Sequence, residues 1–155
     1  MLFLVSFYIL YTMELDPKVW GPHYWFTLHT IALCYPLYPN DVTKKKYYEF
    51  IQNLPLMIPV KKIGDNFTKM LDQFPVTPYL DSRESFIKWM HFIHNKVNQS
   101  LGVPEMSMVE AMDKYYYNYK PKEILLREKM KNKEKILFFG FVGVLISFII
   151  YIYKK

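Results

Sequence analysis

WMHFIHNKVNQSLGVP, residues 89–104, carries two patterns at once. Trp89, Met90, Ile93 and Val97, extended by Phe86 before them and Leu101 after, recur at helical spacing as an apolar stripe. His91, His94, Asn95 and Asn98 run beside that stripe, so polar side chains border a buried face. Gly102 ends the helix and Pro104 prevents its resumption. Residue types alone leave three readings of the polar patch open. It is a satisfied polar core, a metal site in which His91 and His94 join His29, or a site for a planar cofactor with polar edges. No acidic residue stands at recognisable spacing with the histidines, so no metal ligand set is assigned.

Outward from this stretch the chain reads as helices joined by short loops. GPHYWFTLHTIALCYP places Trp25, Leu28, His29 and Ala32 on one face and stops at Pro36. DVTKKKYYEFIQNL comes next, with Asp41 as its expected cap and Tyr47, Phe50, Ile51 and Leu54 inward. Pro59 is expected at the first position of a third helix, with Val60, Ile63, Phe67, Met70 and Leu71 inward. The fourth helix contains the opening stretch. Ser107 with Glu110 forms a capping box for a short fifth helix that carries Met112 to Tyr117. No strand pattern competes, and connections this short favour an all-α bundle, four helices plus a short fifth.

Charge separates this bundle from the C-terminal segment. Residues 1–119 hold 11 Lys/Arg and 11 Asp/Glu, whereas residues 120–135 hold 7 basic and 3 acidic residues. The surplus adjoins ILFFGFVGVLISFIIYIY, residues 136–153, which carries no charge and is succeeded by Lys154 and Lys155. Eighteen helical residues span about 27 Å, close to the ~30 Å hydrocarbon core of a bilayer. The expectation is a transmembrane tail anchor at 136–153 and a basic juxtamembrane linker at 120–135. Five basic residues precede the span, and the positive-inside rule puts the folded part, residues 13–119, on the cytoplasmic side. Without a basic stripe on the folded part, no nucleic-acid partner is expected. Residues 1–12, MLFLVSFYILYT, are uncharged but short for a span; they read as an apolar extension before MELDPKVWGP, with a second membrane contact as the other reading. The single cysteine, Cys34, reads as a buried thiol, and alone it forms no internal disulfide.

WGPHYWFTLHTIALCYP and WMHFIHNKVNQSLGVP together resemble the Erv/ALR family of FAD-linked sulfhydryl oxidases, in particular its viral branch. The matching elements are Trp25 to Thr30, Tyr35-Pro36, His94 to Asn98, and Leu101 to Pro104, over roughly residues 14–117. The His-Asn-x-Val-Asn block is the specific part. The resemblance implies a four-helix bundle with a short fifth helix and FAD in its mouth. It implies that Trp25 and His29 contact the adenine and ribose side. It implies that His91, His94, Asn95, Val97 and Asn98 line the cofactor from the fourth helix, and that Lys114 and Tyr115 reach it from the fifth. It also implies a homodimer formed through the first helices.

One part of the family pattern is missing. The family carries Pro-Cys-x-x-Cys at the start of the third helix, where a substrate dithiol delivers its electrons on the way to flavin and oxygen. The corresponding positions here are Pro59, Val60 and Ile63, and no cysteine lies within twenty residues. A second, structural cysteine pair of many members falls on His91 and Met108. Three outcomes are open: a membrane-anchored FAD-binding relative without independent thiol oxidase activity, an oxidase whose thiols come from a partner chain or from Cys34 across a dimer, or a helical scaffold. The membrane is expected to be that of a host or a virion.

Overall fold

The computed structural model describes residues 15–154. The apolar extension at 1–12 lies outside the described residues. The described residues fall into two compact units, divided between Tyr115 and Tyr116.

The first unit holds the bundle. Helix α1 runs Pro17–Leu33, α2 Asp41–Asn53, α3 Lys61–Gln73, α4 Arg83–Ser100 and α5 Met108–Tyr117. Short 3-10 turns, Leu54–Met57 and Thr77–Tyr79, flank α3. Among the described residues no strand is present. The all-α expectation of four helices plus a short fifth holds.

Local chemistry explains the boundaries, some of which differ from the sequence expectation. Helix α1 begins at Pro17, before the expected start, because Asp16 caps it: the Asp16 carboxylate accepts from Lys18 N at 2.9 Å. Asn40, not Asp41, caps α2, its side-chain oxygen accepting from Thr43 N at 2.8 Å. Helix α3 begins at Lys61, and Val60 is its extended N-cap, so Pro59 lies outside the helix. The Val60 carbonyl already accepts from Ile63 N at 2.9 Å and Gly64 N at 3.1 Å, which is how a residue without a capping side chain still starts a helix. Ser82 caps α4. Gly102, at φ 69, takes the left-handed conformation that stops it. Leu101 is 66% exposed, since it lies beyond the last helical residue and leaves the apolar stripe.

Burial concentrates on α4. Phe86, Trp89, Met90 and Ile93 are each at most 1% exposed and meet Leu28 and Ala32 of α1, Ile51 of α2 and Phe67 and Leu71 of α3. Two buried aromatic side chains also find polar partners in the loops. Trp89 Nε1 donates to the Phe74 carbonyl at 3.1 Å, and the Tyr35 hydroxyl donates to the Leu80 carbonyl at 2.8 Å. Arg83 Nε donates to the Tyr35 carbonyl, joining the end of α1 to the start of α4. Cys34 is exposed, contrary to the expectation of a buried thiol. It occupies the C-cap of α1, where the chain turns so that Tyr35, not Cys34, enters the core.

The second unit contains α6, Lys122–Tyr153, a single 32-residue helix. The basic segment from Lys122 onward is therefore helical and continuous with the apolar run. No residue of its apolar window is buried, and α6 is long and apolar enough to cross a membrane.

Among the described glycines, Gly64 alone has neighbours close to where a Cβ would stand. A Cβ there would stand 2.6 Å from the Pro55 carbonyl oxygen, a backbone atom that has little freedom to retreat. Alanine would gain roughly 1 kcal/mol of helix propensity, but overpacking costs about 1–3 kcal/mol. The clash should win. Gly64→Ala is expected to lower stability in denaturant titration by about 1–2 kcal/mol. A stabilised variant would show that α3 and the Pro55 turn are further apart.

Candidate functional site

Trp25 and His29 lie one turn apart on α1, and His94 faces them from α4. The Trp25 and His94 rings stack at 3.9 Å between centroids with an interplanar angle of 9°. That spacing leaves no room for a third ring between them, so a planar ligand would stack on an outer face. His29 Nε2 and His94 Nδ1 are 3.0 Å apart, and His29 is buried. One imidazole must donate and the other accept, so each presents a defined tautomer to the other.

Both rings are held neutral. Burial lowers His29 to a pKa of about 4, with the His91 charge a smaller cause. Burial also lowers His94, to about 3, followed by the charges of His29, His91 and Lys114. The site thus combines aromatic surface with uncharged ring nitrogens, and Lys114 is near enough to be felt.

The other predicted residues play distinct parts. Asn98 is buried, and among the described residues its side-chain amide forms no hydrogen bond. No fully enclosed side-chain nitrogen or oxygen among the described residues lacks a partner, so this amide keeps a narrow opening to the outside. An amide that is mostly buried, unbonded and still reachable suits a polar ligand edge. Asn95 differs: its Nδ2 donates to the Met106 carbonyl at 2.8 Å, and its Oδ1 accepts from Met106 N at 3.1 Å. Both ends of this amide therefore hold the strap that leads into α5. Asn95 Nδ2 also lies 3.2 Å from His91 Nε2, so His91 belongs to the strap side of the patch. Val97 is half-buried against the core.

From α5, Tyr115 is buried and stacks on Phe26 at 5.1 Å. Its hydroxyl lies 2.8 Å from Thr30 Oγ1. The Thr30 hydroxyl donates to the Phe26 carbonyl at 2.9 Å, which uses its one proton, so Tyr115 donates to Thr30. Lys114, its neighbour, is exposed. Phe26 and Thr30 are not among the cofactor residues expected from sequence. Their spacing with Trp25 and His29 on α1 is the signal that could have found them.

The N-terminus of α3 approaches α1 through its preceding loop, where the Tyr24 hydroxyl donates to the Met57 carbonyl at 2.9 Å. Val60 is buried and Ile63 half-buried. Neither side chain carries a group that can exchange electrons or protons. Among the described residues no three His, Cys, Asp or Glu side chains gather to hold a metal ion. Two surface hollows, one beside Lys44 and Asp81 and one beside Met70 and Lys96, contain none of the site residues.

The Erv1 / Alr family model matches residues 22–117, which include every residue of this site. The chain belongs to the Erv1/Alr family. A probable FAD-linked sulfhydryl oxidase of Acanthamoeba polyphaga mimivirus is 33% identical over 110 residues, covering 70% of this chain and 77% of that protein. An FAD-linked sulfhydryl oxidase of Arabidopsis thaliana is 37% identical over 78 residues, covering 50% of this chain and 40% of its own length. The crystal structure of the yeast Erv1 core superimposes with a TM-score of 0.57 at 28% identity, covering 68% of this chain and 84% of that one. The structure of the FAD binding domain of Erv1 from Saccharomyces cerevisiae gives a TM-score of 0.56 at 30% identity, covering 60% and 87%. The helical order of this Erv1/Alr domain is therefore that of a known family, and the fold expectation and the family resemblance both hold.

The imidazole pair makes stability depend on pH. His29 and His94 bind protons more weakly folded than unfolded, where the ordinary value is about 6.5. Their contribution is complete above pH 6.5 and is lost as pH falls toward 4 and then 3. The unfolding midpoint should fall between about pH 6.5 and 5, above the range in which most carboxylates titrate. A double His29→Gln, His94→Gln variant should show a flatter profile in that window. An equal slope in both proteins would mean that the pair is not buried neutral.

Proposed function

We propose that this chain is a membrane-anchored, FAD-binding Erv1/Alr protein that does not oxidise thiols on its own. The observation that carries the cofactor part is the Trp25–His94–His29 arrangement beside the unbonded Asn98 amide. The donor set fits FAD: stacking faces for flat rings, neutral imidazoles and an amide for polar edges, and a cation for pyrophosphate charge. Trp25 and His29 would hold the adenine and ribose side. His94, Val97 and Asn98 would line the cofactor, Lys114 would offset negative charge, and Tyr115 would be positioned by Thr30. Asn95 contributes by holding the strap before α5, and His91 by its contact with the Asn95 amide. Bound FAD would supply two-electron acceptance and delivery to oxygen.

The thiol half of the chemistry is limited by this chain's own sulfur. Forming one disulfide joins two sulfurs and releases two protons and two electrons. This sequence holds one cysteine, Cys34, exposed at the end of α1. Under the family correspondence the two relay positions are Val60 and Ile63, whose side chains offer no nucleophile. An oxidase cycle would need the thiols of a partner protein or of a second copy. Exposed Val19 on α1 and Val42 and Tyr48 on α2 support a homodimer through the first helices. A scaffold without redox chemistry is the second reading, favoured by the burial of Val60 as a packing residue.

Purified full chain in mild detergent should show the visible absorption of bound flavin. It should consume no more oxygen with dithiothreitol than free FAD does. Val60→Cys with Ile63→Cys should raise turnover at least about a hundredfold, as a bimolecular thiol step becomes intramolecular. A folded protein that stays colourless with added FAD would reject the cofactor reading and leave the scaffold. Robust turnover of the parent would reject the loss of independent activity.

On the same reading the chain comprises a domain at 13–119, a basic segment at 120–135 and a membrane span at 136–153, with the domain in the cytoplasm. Support comes from the uncharged, unburied end of α6 and the basic residues before it. Tyr151 and Tyr153 suit a membrane–water interface. Carbonate-resistant membrane association is expected for the full chain and should vanish on deleting residues 136–153. A glycosylation sequon added after Lys155 should be modified. Modification of the chain's own sequon Asn66-Phe67-Thr68 instead would reverse the orientation.

A further inference from the structure

The N-terminal third of α6 has a charge arrangement that a flexible linker would not preserve. Arg127, Lys129, Lys131, Lys133 and Lys135 lie on one continuous helix with the apolar run that begins at Ile136. All five are exposed, and among the described residues none makes an ion pair. The contrast with Lys120 is informative. It pairs with Glu128 at 2.9 Å, neutralising one of the two acids within 127–135. Glu134, and Glu123 one turn before Arg127, are the acids left to offset the five cations.

Helix geometry decides how these charges are presented. At about 100° per residue, Arg127, Lys131 and Lys135 fall within about 80° of one another, and Lys129 and Lys133 fall on the opposite side. The cations thus ring the helix. The apolar residues of this segment, Ile124, Leu125, Leu126 and Met130, are also scattered around it. An amphipathic helix lying on a membrane needs one apolar face and one charged face, which this segment lacks. A ring of charge suits a helix that leaves the bilayer upright, with headgroups on every side.

We propose that residues 127–135 form a collar that selects anionic phospholipids around the span. This rests on the membrane-anchor reading given above. At about 1.5 Å per residue, Lys135, Lys133 and Lys131 stand within about 8 Å of the first apolar residue. That is one Debye length at physiological salt. Lys129 and Arg127 stand further out, where screening is stronger. The collar is therefore graded: the three lower lysines carry most of the selection, and the two upper cations carry little. Long lysine side chains can reach down to phosphate and carboxylate groups while their stems stay against the helix.

The test uses full chain reconstituted in phosphatidylcholine vesicles containing trace spin-labelled phosphatidylserine or phosphatidylcholine. Electron spin resonance reads the fraction of each label held at the protein. The serine label should associate at least about fivefold more strongly, the factor expected for one Lys or Arg near an anionic surface. The preference should fall below about twofold in ~0.5 M salt, where the Debye length is about 4 Å. It should fall equally in the triple variant Lys131→Gln, Lys133→Gln, Lys135→Gln. The pair Arg127→Gln, Lys129→Gln should keep most of it, as should a bundle variant, Lys45→Gln with Lys46→Gln. A protein that is carbonate-resistant but shows no lipid preference would overturn the collar alone. Equal losses from the upper pair and the lower three would overturn its grading and the upright helix. Tight binding of a single-stranded RNA by the detergent-solubilised chain, without lipid preference, would overturn it in favour of a general polyanion site. Extraction of the parent chain by carbonate would instead reject the anchor reading on which the collar rests.

Discussion

The contact of His29 with His94 constrains how α1 can meet α4. Elsewhere the two helices join through apolar side chains such as Leu28, Ala32, Met90 and Ile93, which tolerate small slips. Two imidazoles in the same contact do not. Rotating either helix by one residue, about 100°, would separate the ring nitrogens and leave buried polar atoms without partners. The polar pair therefore fixes register, while the apolar residues supply most of the burial. Stacking of Trp25 on His94 adds a second geometric condition on the same ring. Neutral rings are required, because burial disfavours the imidazolium form.

From that fixed contact the rest of the site is held by short polar links. Asn95 ties the Met106 backbone to α4, so α5 starts at a set position. Ser107 and Glu110 then close its first turn, with Ser107 N donating to the Glu110 carboxylate at 2.8 Å. Tyr115 returns to α1 through Thr30. The links at Asn95 and Tyr115 tie α5 to α4 and to α1, so displacement of one helix would be felt at the others. The arrangement provides preorganisation: side chains that would meet a ligand are oriented by bonds that do not involve it.

Much of this was legible in the sequence because its signals are local. The stripe on α4, the Gly102 stop and the Ser107 capping box depend on spacing alone, and the structure bears them out. The errors share a cause. Asp41, Pro59, Leu101 and Cys34 stand at helix ends, where a one-residue change in cap chemistry decides whether a side chain faces core or solvent. Asn40 and Asp41 are both acceptable caps on propensity, and only the loop path chooses between them. The pairing of Thr30 with Tyr115 was invisible for another reason. It joins residues 85 apart in sequence, and no local rule brings them together.

The separation between the two halves of the site bears on how such a chain can persist. Ring faces, imidazoles and amides come from α1, α4 and α5, whereas the proposed relay positions sit at the start of α3. Val60 is buried there without a polar partner to satisfy, and Ile63 is half-buried. A thiol and a small aliphatic side chain make similar demands on such a position, since free cysteine packs as a small apolar residue. Exchanging one for the other removes chemistry while leaving the α1–α4 contact and the α5 strap intact. The constraints that keep this bundle folded are thus distinct from those that would let it oxidise thiols. On the proposed reading, Val60 and Ile63 stand where those two sets of constraints divide.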